Sequence, residues 1–175
     1  NGLNINGNYA NNGTFTHSSG TVTLAGSAQQ TLSGTMTSGS AFNALTITNA
    51  SGSDPDSSPS VIFSTAATTA GTFTAVTPDT KIRFGATLTY TLTNIAFNGQ
   101  AAGTRVYMRS SSGGSAWLLT AAGTRSVSYT NVKDSNATGS GTAIDASNGT
   151  NVDGTGNTNW TFVAGITISG VIRQT

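Results

Sequence analysis

The chain has 175 residues and a net charge of +1, with only 7% of its residues charged, against roughly 25% in ordinary soluble domains. Phosphate backbones are recognised by clustered Lys and Arg, so this balance argues against a nucleic-acid surface. The absence of cysteine excludes a disulfide framework and a thiolate metal site, and no apolar run approaches the ~20 residues of a spanning helix.

Thr, Ser, Asn and Gly fill the place of the missing charge: 54 residues are Ser or Thr and 16 are Asn. Disordered chains are also weakly hydrophobic, but they lack β-branched and aromatic residues. Here such residues recur with strand periodicity, and a single folded domain over 1–175 is expected. The opening "NGLNINGNYA" has neither the basic nor the apolar region of a signal peptide, so the chain reads as a mature form or an excised piece.

Taken in order, short alternating runs begin with "LNI" at 3–5, "GTFT" at 13–16, "TVTLA" at 21–25, "QTLS" at 30–33 and "ALTIT" at 44–48. The segment "ASGSDPDSSPS" at 50–60 holds two of the three prolines and is expected to be an irregular loop or an insertion between coils. Then come "SVIFS" at 60–64, "GTFTA" at 71–75, "KIRF" at 81–84, "TLTYTLT" at 87–93 and "NIAF" at 94–97. The second half adds "RVYMR" at 105–109, "AWLLT" at 116–120, "RSVSYTNV" at 125–132, "TAID" at 142–145, "NWTF" at 159–162 and "ITIS" at 166–169. The last of these opens a tail, 164–175, expected to be a linker or to exchange a strand with a neighbour.

Strands at this spacing mean a sandwich, a barrel or a solenoid. No apolar pattern at helical spacing survives the glycines. The runs are short and self-similar, and their corners are Gly, Asn and Ser rather than the two-residue hairpin turns of antiparallel pairs. Asparagine amides at corners can also bond up and down a stack of coils. The expected fold is therefore all-β, a right-handed parallel β-helix, with a β-sandwich as the alternative. Its interior would take Phe15, Ile62, Phe73, Phe84, Leu88, Tyr90, Phe97, Trp117, Tyr129, Trp160 and Phe162 with the Val, Leu and Ile residues of matching parity, and threonines would point outwards.

The stretches "NYANNGTFTHSSGTVTLAGSAQQTLSG…FNALTITN" and "WLLTAAGTRSVSYTNVKDSNA…NTNWTF" resemble segments repeated in very large bacterial surface proteins. The likeness covers about 5 to 162. It implies an exported, adhesin-like protein with right-handed parallel β-helix repeats and an extracellular structural or adhesive role, and it carries over no catalytic residue.

Candidate chemistry is sparse. The lone histidine, His17, has no G-x-S-x-G elbow to partner it. Asp134, Asn136, Asp145 and Asp153, with Asn157, supply hard oxygen ligands suited to calcium, although their spacing matches neither an EF-hand nor a calcium-binding nonapeptide. Turn aspartates bonded to their own backbone are the plainer reading. Lys81 and Lys133 raise an intramolecular Lys–Asn isopeptide bond, but the neighbours Asn131, Asp134 and Asn136 cannot all face one core site. Sequons at Asn12, Asn49, Asn136, Asn148 and Asn159 are about as many as composition alone yields.

Repeated Thr-x-Thr motifs at 14–16, 21–23, 35–37, 46–48, 72–74 and 87–93 suggest an ice-binding ladder. Their irregular intervals argue instead for a merely wet face, since threonine is a good exposed strand residue. The leading expectation is a non-enzymatic, extracellular structural module of a prokaryotic cell surface, a stalk, adhesin segment or filament subunit that self-associates or stacks on neighbouring domains. No cofactor is expected apart from the calcium candidate. A carbohydrate-active or glycan-binding β-helix is the rival, with Tyr9 and Tyr107 the aromatics whose parity places them outside.

Overall fold

The computed structural model describes residues 2–163, so the 164–175 tail lies outside the described residues. Alternating runs become strands, and each strand pairs with its counterpart one coil away. In chain order they are β1 (Gly2–Ile5), β2 (Tyr9–Asn11), β3 (Thr21–Leu24), β4 (Gln30–Gly34), β5 (Ala44–Ile47) and β6 (Val61–Phe63). They continue with β7 (Ala67–Ala75), β8 (Lys81–Phe84), β9 (Thr89–Asn98), β10 (Val106–Ser110), β11 (Trp117–Thr120) and β12 (Arg125–Ser128). The last are β13 (Thr130–Val132), β14 (Ser135–Asn136), β15 (Ile144–Ala146), β16 (Val152–Asp153) and β17 (Trp160–Phe162).

Every pairing between these strands is parallel. The fold is a parallel β-solenoid and not a sandwich. One face is the 7-stranded sheet β2-β4-β6-β8-β10-β13-β16, one strand from each of seven coils. Here it is termed the first face. The 8-stranded sheet wraps the other two sides, because β7 and β9 run continuously round a corner where the register shifts between Thr69 and Thr72. Before the corner, Ala67 and Thr68 pair with Tyr90 and Thr91. After it, Phe73 and Ala75 lie between Leu45 and Ile47 on one side and Ile95 and Phe97 on the other. At about 4.8 Å per coil the stack is roughly 30 Å long.

The core is a column of rings. Phe63 stacks on Phe84 at 5.2 Å and Phe84 on Trp117 at 4.2 Å, while Phe73 meets Phe63 and Phe97 edge-on at 6.0 and 5.5 Å. Such pairs contribute about 0.5–1.5 kcal/mol each beyond area burial. Tyr90 enters the column with its hydroxyl accepting from the Gly85 amide and donating to the Phe63 carbonyl, and burial pushes its pKa well above the ordinary phenol value.

Several expected core positions are corrected. Val61 and Phe63 face inwards and Ile62 is half-buried outside, the one-residue inversion that period-two geometry allows. Phe15, Leu88, Trp160 and Phe162 are half-buried against the core rather than within it, and Tyr129 is half-buried at a left-handed corner. Met36, the centre of the 35–37 threonine motif, and Phe42, which no alternation marks, are fully buried at isolated bridges to Ala67 and Thr69. Not every threonine is outside: Thr69, Thr80 and Thr130 are buried.

Corners are stitched by asparagine, as expected of stacked coils. Asn11, Asn43, Asn148 and Asn157 each donate a side-chain amide to a backbone carbonyl 24, 24, 21 and 25 residues away, one coil off. A buried polar knot does the same beside β4. Gln30 donates to the carbonyls of Ile5 and Gly7 and accepts from the Gly26 amide and from Asn49 Nδ2. Among the described residues the helical pieces are two 3-10 turns, Ser38–Ser40 and Thr138–Ser140, and no helix is long and apolar enough to cross a membrane.

Candidate functional site

Of the calcium candidates, Asp134 lies against the Asp153–Asn157 turn of the next coil, its amide donating to the Thr155 carbonyl, whereas Asp145 lies apart on β15. Asp134 is buried and accepts from the Gly114 amide at 3.1 Å. Asn136 accepts from the amide and hydroxyl of Thr138, and Asp145 from those of Ser147. Asp153 accepts from the Thr155 amide and from Asn157 Nδ2, and Asn157 in turn accepts from the Ser135 amide. Hydrogen bonds from the Ser147 hydroxyl and amide hold the Asp145 carboxyl below the usual range. Asp145 lies on β15 and Asp153 on β16, in different sheets. Among the described residues no three His, Cys, Asp or Glu side chains gather as metal ligands.

His17 accepts from the Ser19 amide at 2.9 Å and, with Leu3, Phe15 and Val22, lines an open concavity of about 230 Å³ at the β1 end. Lys81 is engaged by Asp79, with Nζ 2.7 Å from Oδ2. Asn131 is not its neighbour: Lys81 and Asn131 are register partners of Tyr107 from opposite sides. Tyr9 is half-buried against the core rather than outside. Its ring packs on Phe15 and Phe42 at 6.1 and 5.5 Å.

The threonine motifs align in spite of their irregular spacing. Thr23, Thr46 and Thr74 are successive register partners, as are Thr68, Thr91 and Thr120. Unequal loops, the 50–60 segment among them, absorb the difference in coil length, so the spacing argument against alignment does not hold. Each row is three threonines long; the first runs on into Ala96.

Two regions stand out. One is the pair of end coils. β1 and β2 end their sheets on one side and β16 and β17 on the other, so each presents a row of backbone donors and acceptors without a strand partner among the described residues. Leu3, the partner of buried Val22, is 46% exposed there, and Val163 is 52% exposed beside the stacked pair Trp160 and Phe162.

The other is the outer side of the first face. Five of the seven basic residues, Lys81, Arg83, Arg105, Arg109 and Lys133, lie on β8 and β10 or immediately beside β10 and β13. The 50–60 segment, foreseen as an insertion, folds over this face as a strap. It is a minimal hairpin with an antiparallel bridge between Asp54 and Ser58, and its base is closed by the Gly52 amide donating to Ser60 Oγ and by Gln29 donating to the Pro59 carbonyl. At its tip Asp56 meets Arg83 and Arg109. Nothing in the local sequence linked the strap to arginines two and three strands on; only the coil geometry brings them together.

No family model matches the chain, and neither a curated protein nor a solved structure was found to be similar to it.

Proposed function

We propose that this chain is an extracellular structural module of a prokaryotic cell surface, working as a stalk or adhesin segment or as a filament subunit, and not as an enzyme. The observation that carries this reading is the pair of end rungs that no strand among the described residues covers. Solenoid ends expose both backbone and core and call for a cap or another coil. Here the end rungs present Leu3, Trp160, Phe162 and Val163 with little charge to blunt them. A further coil, in cis or from a second copy, satisfies both ends, and head-to-tail stacking of copies is a heterologous contact that grows into a filament. Near absence of charge suits a rod that keeps soluble through threonine and serine hydroxyls.

Sedimentation velocity and negative-stain microscopy of the chain over a range of concentrations test it. Rods that lengthen with concentration, and that Leu3→Asp shortens, are expected for self-stacking. Single particles roughly 30 Å long at every concentration would remove the filament and leave one segment of a longer stalk. An activity on polysaccharide that is lost on substituting Asp134, Asp145 or Asp153 would overturn the structural assignment altogether.

A further inference from the structure

On the first face β8 and β10 run in register, with Lys81 opposite Tyr107 and Arg83 opposite Arg109. Register partners in adjacent coils are about 4.8 Å apart, so two permanently charged guanidiniums leave the sheet on successive rungs. Like charges that close repel, and the arrangement needs an anion between or above them. Among the described residues one carboxylate stands within ion-pair distance: Asp56 Oδ1 is 3.4 Å from Arg109 Nε. Its backbone carbonyl, not its carboxylate, accepts from Arg83 Nη1 at 3.0 Å. Asp54 is occupied inside the strap, where its Oδ1 takes the Ser57 amide and hydroxyl and the Asp56 amide.

The cluster is undersupplied with acceptors. Arg109 is only 6% exposed; its Nη1 donates to the Asn131 and Met108 carbonyls and its Nε is ion-paired with Asp56, while the buried Nε of Arg83 has no hydrogen bond. Buried polar groups without partners are uncommon and costly. Beside them the Tyr107 ring is half-buried on the outer side, with Arg109 Cζ 5.5 Å and Lys81 Nζ 5.8 Å from its centroid.

The geometry points to a binding site for an acidic polysaccharide, a uronate polymer, at Arg83, Tyr107 and Arg109, in which the strap carboxylate of Asp56 is the built-in occupant that the ligand displaces. A guanidinium matches a carboxylate in planar, two-point fashion, and the Asp56 carboxylate already stands 3.4 Å from Arg109 Nε. The ring of Tyr107 offers an apolar platform for the C–H face of the sugar that bears it. Nucleic acid fits less well. A duplex is held by an extended track of Lys and Arg that neutralises many phosphates, whereas the site here is two guanidiniums beside one ring, matched to a single carboxylate-bearing sugar. The strap tip lifts without unfolding a coil, because its base is held separately at Gly52, Gln29 and Ser60. The site lies on the side of the stack and does not depend on what the end coils meet.

Calorimetric titration of the chain with polygalacturonate is the test, with neutral dextran and duplex DNA as comparison polymers at the same ionic strength. Polygalacturonate and not dextran should bind. Asp56→Asn, which empties the site of its internal anion, should tighten binding, and Arg83→Gln should weaken it by roughly tenfold, the scale of one charge-assisted hydrogen bond. Arg125→Gln, on β12 in the other sheet, should change nothing. Arg83 is more exposed than Arg109, so it carries the test, and an unchanged circular dichroism spectrum confirms that the variant folds. No binding of polygalacturonate even to Asp56→Asn would overturn the proposal. So would affinities indifferent to both substitutions, or DNA bound more tightly than polygalacturonate through the same arginine.

Discussion

Single residues here work chiefly by joining one coil to the next or by closing a turn. Gly156 shows how tight that can be: it has φ of +70°, and a Cβ there would collide with Asp134 Oδ1, so a side chain at 156 would displace the buried Asp134. Asp54 shows the turn-closing role. The Ser57 amide, then the Ser57 hydroxyl and the Asp56 amide, hold its carboxyl below the usual range. A depressed carboxyl stabilises its turn fully above the unfolded value of about 3.9 and loses that contribution as pH falls through the lower folded value. The strap tip should therefore loosen in acid while the coils beneath it stay closed. Amide exchange reads this directly: protection of Asp56 and Ser57 should disappear as the pH is taken from about 5 to about 2, after correction for intrinsic rates, and β8 should stay protected. Equal losses in β8 would mean that the strap is not an independent unit.

At the scale of elements, β6 separates what alternation can decide from what it cannot. Three consecutive apolar residues, Val61, Ile62 and Phe63, leave the parity open. It is settled from outside the strand by Phe84, on which the Phe63 ring stacks. Phe63→Ala should cost about 3–5 kcal/mol and Ile62→Ala about 1 kcal/mol or less, both read from denaturant midpoints. The reverse order would shift the register of β6 by one residue. Where small or polar residues alternate with the large apolar ones, as in "TVTL" and "ALTI", the sequence alone predicted both the strand and its inner face, because no second solution buries the large apolar set. Asparagine corners were legible for a similar reason: their amides suit a neighbour one coil away. Phe42 was not, since it sits at an isolated bridge outside any alternating run. Nor was the threonine alignment, which depends on coil lengths that the strap makes unequal. The basic face was legible only as the pair Lys81 and Arg83; Arg109 joins them through the β8–β10 register, and Asp56 through the fold of the strap.

The molecule as a whole is close to one-dimensional, each coil resting only on the coils beside it, and its stability is correspondingly a sum of coil and interface contributions. Those contributions are unequal along the stack. Phe63, Phe73, Phe84, Phe97 and Trp117 crowd the middle coils, and the longest strand pairing, β7 with β9, lies there too. Towards β1 the core column ends on half-exposed Leu3, and towards β17 on half-buried Trp160 and Phe162. Native-state hydrogen exchange should therefore give a gradient, with amides of β7 to β9 opening only by global unfolding and those of β1, β2, β16 and β17 by local fraying. Stacking of copies adds a second, separable expectation. Fraying of the end rungs should be suppressed as concentration rises, because a bound coil stabilises the folded rung by mass action, while the middle coils stay unchanged. A gradient that ignores concentration would place the missing neighbour in cis. A profile flat from β1 to β17 would mean that the coils melt as one unit, and the open rungs would then be no weaker than the core they cover.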